Sequence, residues 1–363
     1  MDACLAPNGG THYTGPGPCT RLHVGTADGV VTLERPGSAA AWQVTRRALE
    51  GRHISSLLLE PRRAGLFAGV HGGGLYASLD GGHAWEPRTR GLSEEHVFTL
   101  ASVERDGAVI LYAGTEPAHL FQSTDYGETW EDLPALPAMR ADCWTFPAPP
   151  HEAHTKHVTF HPADPDTLFV SVEQGGLFKS TDGGQSWVEL DSYAKPTDRA
   201  YKDVHRCLLL PSDPTVMYIT AGTGFYRSPD GGETWEQLTD RTYRIAYPDA
   251  LLFSPLDDSV LFMAGSAGSP GRWPQTHDAD AAIMRSRDGG RTFEVLAGGL
   301  PEHLRGNVEA MSVYRWADRF ALFAATTDGD VFTSETGGDI WSQIASSLAP
   351  VSKVGHYRNL VAV

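Results

Sequence analysis

The octapeptide Ser78-Leu79-Asp80-Gly81-Gly82-His83-Ala84-Trp85 returns five more times along the chain with small changes. The later copies open at Ser123, Ser180, Ser228, Ser286 and Ser334 and close on Trp130, Trp187, Trp235, Phe293 and Trp341. Their third position is Asp125, Asp182, Asp230 and Asp288, then Thr336 in the last, degenerate copy. A short Asp side chain accepts hydrogen bonds from backbone N–H groups just ahead of it, and Gly supplies the positive φ a tight turn requires. The closing aromatic then has a large face to bury. The unit recurs every ~45 to 58 residues, the period of a stacked or ring-closed repeat.

A strand pair precedes each turn, as in Thr167–Val172 followed by Gly176–Ser180, and a further apolar run precedes each pair. Four strands per unit predict an all-β, seven-bladed β-propeller as one domain with the turn between strands three and four. The blades are expected at 52–92, 96–140, 155–192, 203–243, 248–300 and 306–350. The remaining blade combines 20–50 with 354–363, so that N- and C-terminal segments pair and close the ring, leaving no open edge. These turns are Asp boxes, and the chain resembles the bacterial-neuraminidase (BNR) or Asp-box superfamily, which includes sialidases, sortilin-type ectodomains and photosystem assembly factors. The resemblance implies fold rather than activity, because the boxes are structural. The sialidase arginine motif is absent.

With 363 residues, 39 Gly and 24 Pro, the chain has the turns such a repeat needs. A net charge of −16 repels phosphate backbones and excludes nucleic acid as the expected partner. No apolar stretch is long enough for a membrane span, and Met1–Pro18 does not read as a secretory signal. Cys4, Cys19, Cys143 and Cys207 form no spaced framework, so free thiols in a cytoplasmic protein are expected.

In this superfamily the first strand of each blade lines the channel and starts on the face opposite the boxes. Aligned on that rule, His53, His96, His157, His205, Asp249, Glu309 and His356 begin successive inner strands and predict a ring of imidazoles and carboxylates. Lys156 or Arg206 replaces its neighbour if the register slips by one. His71, Glu116, His119, His154 and Glu173 are expected on the same face, under long loops that carry Cys143, Trp144 and Trp273. Imidazoles and carboxylates converging on an axis can hold Fe, Cu, Zn or Mn.

The expected function is an enzyme acting on a small organic molecule in this pocket, dependent on a divalent transition metal. His53, His157, His205 and His356 are the expected ligands, and Glu173, Asp249 and Glu309 the expected acid–base groups or further ligands. His71, His96, Glu116, His119, Cys143, Trp144, His154 and Trp273 would line the substrate pocket. Two alternatives stand beside it: a non-catalytic module that binds a protein or peptide, and a glycoside hydrolase using Glu116 and Glu173 as its carboxylate pair.

Overall fold

The computed structural model describes residues 2–140, 144–147, 151–195 and 202–360. It contains seven antiparallel-based sheets in chain order, arranged as a β-propeller, with almost no helix. In the fourth, for example, His154–His161, Asp164–Glu173, Gly176–Ser180 and Val188–Glu189 pair in sequence order. Apolar clusters lie between neighbouring sheets; one joins Tyr112 and Leu120 of the third to Val170 and Phe178 of the fourth.

The boxes form as their chemistry dictates. In the first, the Ser78 hydroxyl donates to Asp80 Oδ1 at 2.8 Å and accepts from Gly82 N at 2.8 Å. Ala84 N donates to the same carboxylate at 2.9 Å. In the degenerate copy the Thr336 hydroxyl takes the place of the carboxylate, accepting from Ile340 N at 2.8 Å.

The first blade closes differently from the sequence expectation. Its innermost strand is Asp2–Leu5, which pairs parallel to Arg21–Thr26 in the register Cys4 to His23. Residues Gly355–Leu360 instead form a 3-10 helix, and 361–363 lie outside the described residues. The innermost position is filled by Ala3, Cys4 and Leu5, all without solvent exposure, so no place remains there for a C-terminal strand. The N-terminal segment then continues inside the ring. Asn8–Gly9 pairs with the inner strand of blade two and His12–Thr14 with that of blade seven. Gly9, at φ 100°, makes the first approach possible, since a Cβ there would strike the Leu57 carbonyl. This segment fills part of the channel.

The six other inner strands share one irregularity. Each carries a bulge near its start, and the extra residue is Ser55, Phe98, Lys156, His205, Asp249 or Glu309. A bulge re-aims its side chain out of the regular alternation. All six are buried.

Candidate functional site

The bulges bring together a network of buried charge at the channel mouth. Glu173, at the end of Asp164–Glu173, receives Lys156 Nζ at 3.0 Å and His154 Nε2 at 2.8 Å on Oε2. Its Oε1 faces Lys353 Nζ at 3.4 Å and the Tyr247 hydroxyl at 3.4 Å. Asp249 accepts from Lys353 at 2.8 Å, Lys156 at 3.3 Å and Asn307 Nδ2 at 2.9 Å. Glu309 Oε2 accepts from Lys353 N at 2.8 Å and from the Ser352 hydroxyl at 3.1 Å.

Burial works against the charge on every member. For Glu173 it is overcome by Lys156 and Lys353, together with the His154 hydrogen bond, and the carboxyl is held well below its usual range. Asp249 is lowered in the same way by Lys353 and Lys156. Lys156 is pulled down by burial and by the neighbouring Lys353, whereas the three carboxylates around Lys353 raise it despite its burial. Glu309 rises to about 7 through burial, with Asp249 adding to the effect. Glu116 also rises to about 7, through burial and the charge of Glu173.

Asp203 and His205 complete the centre. His205 Nδ1 lies 2.6 Å from the Pro248 carbonyl, which can only accept, so Nδ1 carries the hydrogen. Nε2 faces Asp203 Oδ1, 3.5 Å away, and Glu173 Oε1, 3.7 Å away. Neither Nε2 nor Asp203 Oδ1 has a hydrogen-bond partner, though both are buried. Among the described residues Glu173, Asp203 and His205 are the one His, Cys, Asp or Glu group that brings three ligand atoms within 4.8 Å of one another. A cavity of about 730 Å³ reaches this group at Asp203 and is lined also by Tyr247, Gln174, Phe146, Arg241 and the 267–272 loop among others.

Several expected site residues sit elsewhere. His53 donates from Nε2 to the Ser352 carbonyl at 2.6 Å. His157 contacts the Thr159 hydroxyl, and its nearest charges are Arg206 and Lys156. The four expected ligand histidines are therefore not one set; the bulge sends Lys156, not His157, into the network. For His356 only the backbone is described, in the 3-10 helix, and Cys143 lies outside the described residues. His154 is buried between Glu173 and Glu116, 3.7 Å from the latter, and stacks on Phe98. His71 and His96 meet each other. His119 packs against Phe121 and faces Asp132, away from the network. Trp144 and Trp273 are buried supports and do not line the cavity: Trp144 packs on Phe178, and Trp273 Nε1 ties down the Gly268 carbonyl. The loops that hold them do supply cavity walls.

Lys353 and Asp203 had no strong sequence signal. Lys353 stands outside the repeats, and Asp203 precedes an inner strand by one residue.

The repeated box geometry around seven sheets decides the fold type. The chain is an Asp-box β-propeller. No family model matches it. The propeller is similar to an ancestral GH74 enzyme (17% identity, TM-score 0.63, 86% of this chain and 41% of that one). It is also similar to YCF48 bound to D1 peptide (14% identity, TM-score 0.57, 92% of each chain). In sequence it is 25% identical over 112 residues to vacuolar protein sorting/targeting protein 10 of Fusarium vanettenii, covering 31% of this propeller and 6% of that protein. The solved structures share the β-propeller fold. Among the described residues no helix is long and apolar enough to cross a membrane.

Proposed function

We propose that the channel mouth is the active site of an enzyme acting on a small organic molecule, with Glu173, Asp203 and His205 holding a divalent transition metal beside the cavity. The observation that carries this reading is the His205 imidazole. Its Nδ1–H is spent on a backbone carbonyl, and its Nε2 faces two carboxylates. Ligating histidines are oriented by this kind of carbonyl bond, and His205 Nε2 and Asp203 Oδ1, buried without hydrogen-bond partners beside Glu173, are ligand atoms that a divalent cation would satisfy.

A metal so placed would polarise a carbonyl or activate water. Lys156 and Lys353 fix Glu173, and Asp249 fixes the two lysines. Glu309 keeps its proton up to about neutral pH. Neither Glu116 nor Glu173 lines the cavity, and His154 stands between them, an arrangement that does not favour a glycosidase pair. Titration of chelator-treated protein with Mn(II) or Zn(II) should show a site whose affinity falls at least ~100-fold in Asp203→Asn. Unchanged binding in that variant would refute the metal centre.

The second reading, a module that binds a peptide or protein, draws on the match to YCF48 across 92% of both chains. It is favoured over catalysis if the protein binds no metal yet retains a peptide at the cavity face.

A further inference from the structure

We propose that His71 and His96, with His53 beside them, form a second metal site at the channel mouth, made of imidazoles alone and suited to a late first-row dication such as Cu(II). It is separate from the centre on Glu173 and does not depend on it.

Three elements position the group. His71 follows the strand Gly65–Val70, His96 opens the inner strand His96–Arg105, and His53 stands just before Ile54–Glu60. The His71 amide donates to the His53 carbonyl at 2.9 Å, so the two backbones are joined. The Nδ1 atoms of His71 and His96 are 3.2 Å apart, with ring centroids at 4.4 Å. Two nitrogens bound at about 2.0–2.1 Å to one ion lie roughly 2.9 to 3.4 Å apart for angles between about 90° and 110°. The pair is therefore already at the bite a metal needs. As it stands the two atoms share one hydrogen, which a metal entering the gap would displace by shifting that ring to its other tautomer, freeing both lone pairs.

His53 stands beside the pair, 5.9 Å from His71 by ring centroid. Its Nε2 bond to Ser352 is of the kind that orients ligating histidines. All three rings are half-buried, so an ion can reach them. An all-imidazole set favours Cu, Ni or Zn over Mg or Ca, and Cu(II) binds most tightly along the series.

The test uses full-length protein freed of metal by a chelator and titrated with Cu(II), followed by electron paramagnetic resonance. Wild type is expected to show a copper signal split by at least two equivalent nitrogens. In His71→Ala/His96→Ala that signal disappears and the corresponding affinity falls at least ~100-fold. His71→Gln alone should also weaken it, with circular dichroism confirming the fold in both. Asp203→Asn should leave it in place. A nitrogen-split signal that survives the double substitution, or none in wild type, would overturn the proposal. If Asp203→Asn changes no metal binding while the double variant loses the copper signal, the Glu173 centre fails and this one stands.

Discussion

At the scale of single residues, the boxes are legible because their function is local. Ser, Asp and Gly sit at fixed offsets, and the hydrogen bonds they make span at most four residues, so the pattern survives in the sequence. Thr336 gives a direct check. Its hydroxyl accepts from Ile340 N where the other copies use a carboxylate. A charged acceptor makes the stronger bond, so Thr336→Asp should stabilise the protein by ~0.5–1 kcal/mol, read from the urea midpoint. The channel residues are less legible for a physical reason. A bulge inserts one residue into each inner strand without a composition of its own, and it turns the ring by a position or two. His205, Asp249 and Glu309 stand at the bulges of their strands. In the other three, Ser55, Phe98 and Lys156 stand where His53, His96 and His157 were expected.

At the scale of elements, the strands before each box could be read from their apolar alternation, whereas the inner strand of blade one could not. Asp2–Leu5 is only four residues long and pairs parallel to a partner 19 residues on, so no hairpin signal marks it. Its worth is measurable. Leu5 is fully buried in the cluster shared with Leu22, Ile54 and Ala310. Leu5→Ala should cost about 2–5 kcal/mol and hasten proteolysis between residues 6 and 20, because the cavity loosens the segment that fills the channel. A loss below ~1 kcal/mol would mean that the segment packs loosely and closes nothing.

At the scale of the molecule, seven blades concentrate buried charge on one axis, and folding must tolerate that charge. Glu309 titrates near 4.5 when exposed and near about 7 in the folded protein. The folded state therefore binds the extra proton between those values. The stability this contributes is present below pH 4.5 and is lost as pH rises through about 7. Glu309→Gln should flatten the decline in urea midpoint between about pH 5 and about pH 8, and an unchanged slope would contradict the raised carboxyl.

The central claim is a metal held by Glu173, Asp203 and His205, and crystals soaked in Mn(II) test it most directly. Anomalous scattering recorded near the manganese edge should give a peak about 2.0–2.3 Å from His205 Nε2 and from oxygens of both carboxylates, absent in crystals of Asp203→Asn. No peak there in well-soaked wild-type crystals, with Lys353 and His205 unmoved, would contradict the account and leave the channel mouth as a self-neutralised network serving a binding surface.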